Sequence, residues 1–245
     1  MGPSATSTRL ARAMATKARA MWPTASAAPR ALFDDADAVE TARDGDDAIA
    51  ATQLGAASDA VVAVAARCAH GAPRAYVFAP TSAGADGAVR AEHGTCRLAC
   101  PALRDETTRV EREGGLRDVA RAVDASETLM EGLVRAHEDA PRIRRWLLGD
   151  AATRRLRNDA ARDGPESDAG RADFIVNHTG LVGVTLRDVR RAKTWKIVKC
   201  LHAHLADFLV RGRGKNPVGG LVYDSLVERG FPVNGTETCA RRCGL

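Results

Sequence analysis

Aromatic side chains are scarce in this chain of 245 residues, only 4% within a hydrophobic content of 45%. Much of the remainder is alanine, so the core must come mainly from Leu, Val and Ala, and the Ala- and Arg-rich usage leans helical. Acidic residues are missing from residues 1–33, where Arg9, Arg12, Lys17, Arg19 and Arg30 stand. That absence accounts for the whole formal net charge of +5. Without those five cations, 36 Lys+Arg fall to 31 against 31 Asp+Glu, and residues 34–245 are formally neutral. A neutral body poor in aromatics argues against broad nucleic-acid binding. No apolar run approaches the length of a secretory signal or a membrane span, so a soluble mature chain with no membrane partner is expected. No internal repeat, tight C-x-x-C knuckle, P-loop or dinucleotide fingerprint is present.

What is there begins with MGPSATSTRLARAMATKARAMWPTASAAPRALF. Small, hydroxyl and basic residues mixed without acids mark an organellar transit peptide. The Ser/Thr content points to the chloroplast, with the mitochondrion as alternative; a plain disordered tail is the simpler reading. Residues 1–45 are thus expected to be leader and disordered acidic linker. Residues 46–245 are read as a single α+β domain with a charged insert at about 150–172. Strand character recurs over 59–68, 75–81 and 88–98, giving a small antiparallel β-hairpin platform. Helices follow: one opened by Cys100-Pro101 and closed at Gly114-Gly115, and one from Leu116 to Glu138. Pro141 is expected to break or restart the second of these. A third helix is expected from Trp195 to Val210, with Gly212 as its cap and Asn216-Pro217 starting the next element.

The segment KCLHAHLADFLVRGRGKNPVG raises the question of chemistry. On a regular helix Cys200 and His204, four residues apart, share one edge of the apolar stripe, and His202 falls on the opposite edge. Six cysteines (Cys68, Cys96, Cys100, Cys200, Cys239 and Cys243) in a reducing organelle argue against a disulfide framework. The pair in TETCARRCGL, so near the terminus, has no evident core to fill. A zinc site or iron–sulfur cluster is therefore the leading reading, with Cys68, Cys200, Cys239 and Cys243 as ligands and Cys100 or His204 as alternates. The second is a Cys–His enzyme with Cys200 as nucleophile, His202 or His204 as base, and Glu138 or Lys199 in support. The third is an anion or RNA module using Arg211, Arg213 and Lys215.

The chain resembles the family catalogued as domain of unknown function 501, from about Gln53 to the C-terminus. The residues that carry the resemblance are Gln53-Leu54-Gly55, VAARC with Gly71 and Pro73, ACPAL with VEREGG, AHE at 136–138, and above all KCLHAHLADFL with NPVG. Ala56-Ala57-Ser58 and His93-Gly94-Thr95 depart from the family pattern, and Cys96 has no counterpart in it. The resemblance implies a grouping and supplies no reaction.

Overall fold

The computed structural model describes residues 32–34, 39–55, 61–83, 89–91, 94–191, 197–236 and 238–245. The expected leader lies outside the described residues except for Leu32 and Phe33. Strands β1 (Val39–Thr41), β2 (Val61–Arg67), β3 (Pro73–Phe78) and β6 (Cys96–Leu98) form one antiparallel sheet in the order β1-β2-β3-β6. A separate ribbon pairs β4 (Thr81–Ala83) with β5 (Val89–Ala91). The third expected strand is therefore two strands serving two sheets.

Both faces of the four-stranded sheet are covered. Val61, Val64, Tyr76 and Phe78 pack with Ala50 of α1 (Asp46–Leu54). Val62, Ala65, Ala75, Val77 and Leu98 face the main helical core. Val61 and Val64 share a face although they are three residues apart. The register shift between Val61 and Ala63 inserts the extra step that strict alternation forbids.

The helices run α2 (Pro101–Arg112), α3 (Gly115–Asp124), α4 (Glu127–Asp163), α5 (Asp168–His178), α6 (Leu186–Arg191), α7 (Leu201–Arg211), α8 (Pro217–Glu228) and α9 (Cys239–Arg242). Two details differ from expectation. Ser126 accepts a hydrogen bond from the Leu129 amide and starts a new helix, so Leu116 to Glu138 is two helices. Helical geometry passes through Pro141, and the interruption in α4 comes at Gly149 (φ 74, ψ 161), a conformation that only glycine adopts freely. The charged insert, open to reading as a linker or a mobile helix, is helical: late α4 and α5 form a hairpin in which Leu156 packs on Ala172 and Val176.

α7 lies at the centre, with Leu201, Leu205, Ala206 and Val210 buried and β6, β3 and α8 packed against it. A Cβ at Gly219 would collide with the His204 carbonyl, so that glycine is what lets α8 approach so closely. The fold also begins upstream of residue 46. Leu32 and Phe33 are buried, the Phe33 ring meets Trp146 edge-on at 6.2 Å, and the Asp34 amide donates to the Arg211 carbonyl at 2.7 Å.

Urea unfolding of a truncated chain measures what this segment contributes. One starting at residue 46 exposes the surface under Leu32, Phe33 and β1, and should lose roughly 3–6 kcal/mol at 1.5–3 kcal/mol per large side chain.

Candidate functional site

The helix containing His202 and His204 begins later than the sequence suggests, and this decides which residues meet. Trp195 and Lys196 lie outside the described residues. Lys199 takes a left-handed conformation (φ 47) and Cys200 is extended (φ −151, ψ 116), acting as N-cap of α7. The Cys200–His204 pair consequently does not form. His204 turns into the core, its Nε2–H donating to the Val198 carbonyl at 3.0 Å, which leaves Nδ1 to accept from Asn216 Nδ2 at 3.2 Å. His202, expected on the far edge, is the histidine that stands beside Cys200.

Glu111, in the last turn of α2, completes that group. One ligand atom from each of Glu111, Cys200 and His202 lies within 4.8 Å of the other two, and all three residues are partly exposed. His202 Nδ1 is 3.4 Å from Glu111 Oε2, while Glu111 Oε1 accepts from the Leu201 amide at 2.7 Å. The His202 imidazole is shifted upward, first by its contact with Cys200 and then by the Glu111 carboxylate, against the opposing effect of burial. Glu138 is not part of this group; it faces Arg190 at 3.9 Å on the surface.

The remaining thiols gather elsewhere. Cys68 and Cys243 share a small apolar cluster with Ala72 and Ile49. Cys243 Sγ receives a hydrogen bond from Gln53 Nε2 at 3.3 Å, and Gln53 Oε1 is buried without a partner. Burial first, and then the neighbouring thiols Cys239 and Cys68, push Cys243 upward, opposed by the Gln53 amide. Cys100 is the N-cap of α2. Burial pushes its thiol up to about 11, and nearby Cys239 and Cys243 add to the shift. The Leu103 and Ala102 amides face its sulfur and favour the thiolate, without closing a cap hydrogen bond. Cys96 is separate, buried beside Asp207 and Arg211.

The expected set of Cys68, Cys200, Cys239 and Cys243 is therefore split. Cys100 and Glu111 mark opposite ends of α2, about 16 Å apart at 1.5 Å per residue, too far for Cys200 to share an ion with the tail cysteines. Glu111, Thr108 and Gln53 were missed as site residues. Glu111 and Gln53 sit inside the VEREGG and Gln-Leu-Gly motifs, which were visible, but nothing in the spacing says what they face.

The basic turn after α7 is already neutralised from within. Arg211 is fully buried, forking onto Asp207 at 2.8 and 2.9 Å and reaching Asp139 at 3.0 Å. Burial disfavours its charge, but the two carboxylates more than restore it. Arg213 pairs with both oxygens of Asp224, and Asp34 accepts from the Gly214 amide. Of the anion candidates, Arg211 cannot reach a ligand, and Lys215 lies in the turn that Asp34 caps.

This α+β domain, with Glu111, Cys200 and His202 gathered at one end of α2 and buried thiols at the other, is matched over residues 64–224 by the family model described as "Protein of unknown function (DUF501)". The chain belongs to that family. The matched region holds Cys68, Cys100, Glu111, Cys200 and His202, and ends before the tail cysteines. No curated protein and no solved structure matches the chain. Among the described residues, no helix is long and apolar enough to cross a membrane.

Two outcomes follow from the buried groups. Arg211→Met leaves two carboxylates facing the space the guanidinium filled and should cost about 3–5 kcal/mol in urea unfolding at neutral pH. His137, buried against His204 with ring centroids 5.9 Å apart, is held down to about 3, first by burial and then by the charge on His204; burial also lowers His204. The unfolded chain takes up those protons near pH 6.5. Their stability contribution is thus complete above about pH 6.5 and is lost as pH falls, by up to about 1.4 kcal/mol per pH unit for each histidine. Urea midpoints measured from pH 7 to pH 4 should show that slope, and His137→Gln should flatten it.

Proposed function

We propose that the domain is a metal-binding module whose centre is held by the thiolates of Cys68, Cys100, Cys239 and Cys243. The observation that carries this reading is the convergence on Cys243 of buried thiols from three distant segments: the β2–β3 turn, the start of α2 and the C-terminal tail. Buried cysteines often serve as small hydrophobes. Here, however, amide donors are directed at sulfur: Gln53 Nε2 at Cys243, and the Leu103 and Ala102 amides at Cys100. Donors of that kind are what a thiolate ligand needs around it.

Spacing bears on the choice of metal. Tetrahedral zinc at about 2.3 Å from each sulfur requires sulfurs about 3.8 Å apart. Among the described residues, only Glu111, Cys200 and His202 bring three ligand atoms within 4.8 Å of one another, so no three of these four sulfurs do. The wider span suits an iron–sulfur cluster, in which sulfide and iron separate the protein thiolates. Zinc is the second reading and requires the tail to close inward. Either centre would tie the tail to the sheet and α2, contributing directly to folding. An organellar location, chloroplast before mitochondrion, fits a reduced thiol site and rests on the leader composition alone.

The test is to purify the full chain without oxygen and measure metal and acid-labile sulfide per chain, with the visible spectrum. Iron and sulfide with a broad visible band, lost in Cys239→Ser/Cys243→Ser and kept in Cys200→Ser, is the expected result. Stoichiometric zinc with the same dependence would replace the cluster by a zinc staple. Folded protein that carries neither would overturn the proposal.

A further inference from the structure

Glu111, Cys200 and His202 stand apart from the thiol cluster, and their hydrogen bonds show what the group lacks. The Thr108 hydroxyl donates to the Arg104 carbonyl at 2.9 Å. His202 Nε2 lies 3.1 Å from that carbonyl and 3.1 Å from the Thr108 oxygen. A carbonyl only accepts, and the hydroxyl proton is already committed, so Nε2 must carry the ring proton. Nδ1 then faces Glu111 Oε2 at 3.4 Å, with the Cys200 sulfur completing the trio.

A nucleophile assisted by histidine needs the imidazole between the thiol and the carboxylate, one on each nitrogen. Here Nε2 is occupied by Arg104 and Thr108, and Nδ1 is turned to Glu111. The three groups converge on a point instead of forming a relay. Their ligand atoms lie within 4.8 Å of one another, and S, N and O together are the donor set of a borderline divalent ion.

The surroundings are those of a built site. The ring is fixed by its Nε2–H bond to a backbone carbonyl, as is usual for metal-bound histidines. Glu111 is oriented by the Leu201 amide on its other oxygen. The left-handed Lys199 (φ 47) is an unfavourable conformation for a side-chain-bearing residue, and it delivers Cys200 to the mouth of α7. Both flanking side chains remain about a quarter exposed, His202 at 25% and Glu111 at 28%.

We propose that Glu111, Cys200 and His202 bind one zinc-type divalent ion through Oε2, Sγ and Nδ1, leaving a fourth position open to solvent. Binding expels the Cys200 thiol proton to solvent. Three protein ligands with an open position are the arrangement of zinc sites that bind water or substrate, in contrast to a closed four-thiolate centre. The site does not depend on the thiol cluster and stands or falls separately from it.

The test is a cobalt(II) titration of the chelator-stripped full chain under anaerobic conditions, followed by displacement with zinc. The expected result is a sulfur-to-cobalt charge-transfer band and tetrahedral ligand-field bands that survive in Cys239→Ser/Cys243→Ser. Cys200→Ser should remove the charge-transfer band. His202→Gln and Glu111→Gln should each weaken binding at least about tenfold, and Thr108→Val, which frees the ring, should weaken it about 10–100-fold. Circular dichroism establishes which variants remain folded. If Cys200→Ser unfolds, the folded His202→Gln decides instead. Cobalt bands unchanged in Cys200→Ser and His202→Gln, or lost only with the tail cysteines, would overturn the proposal.

Discussion

The buried Arg211 is the constraint on which the rest of this structure depends. A charge without water costs several kcal/mol unless every donor finds a partner. This guanidinium finds Asp207 one turn back on its own helix, Asp139 on α4, and the Leu32 carbonyl. Asp207 in turn accepts from Asn216 Nδ2, and Asn216 Oδ1 receives the Gly219 amide that opens α8. One cation thus sets the relative positions of α4, α7, α8 and the segment before β1. Arginine suits the position because its planar fork binds two carboxylates at once, which a lysine ammonium cannot do in the same geometry.

The same network accounts for much of the charge of the basic turn. In the sequence Arg211, Arg213 and Lys215 look like one cluster, because alternate residues in a loop are easily imagined on one face. The carboxylates that pair with Arg211 and Arg213, namely Asp139, Asp207 and Asp224, are remote in the chain or hidden in helical register. That pairing is in keeping with the formal neutrality of residues 34–245, where acids and bases are equal in number.

Much of the architecture was legible. The Cys100-Pro101 start, the Gly114 boundary, the Gly212 cap and the Asn216-Pro217 start all read correctly, since each depends on local backbone chemistry. The site was legible only in part, because it turns on where α7 begins. A helix drawn from Trp195 carries 100° per residue through Cys200 and brings His204 to the thiol. A left-handed Lys199 and an extended Cys200 stop that rotation, and His202 takes the place. Nothing in KIVKC announces the left-handed residue: it is not glycine or asparagine, the types that favour it. Gln53 and Glu111 were hidden for another reason. Their partners lie 190 and about 90 positions away in sequence, and only tertiary packing selects them.

The α2 helix gives the two clusters a common logic. Cys100 caps its start and Glu111 ends its last turns, so one rigid rod of about 16 Å holds a buried thiol group at one end and a half-exposed mixed group at the other. α9 packs on this helix, with Arg242 paired to Asp105, and thereby brings Cys239 and Cys243 towards Cys100. α7 meets it from the other side, and the Leu201 amide on Glu111 fixes where Cys200 and His202 stand. The chemistry at each end follows from its surroundings. Burial, with neighbouring thiols, raises the pKa values of Cys100 and Cys243. His202 and Glu111 stay partly exposed at the other end. A helix of twelve residues thus holds the two groups apart.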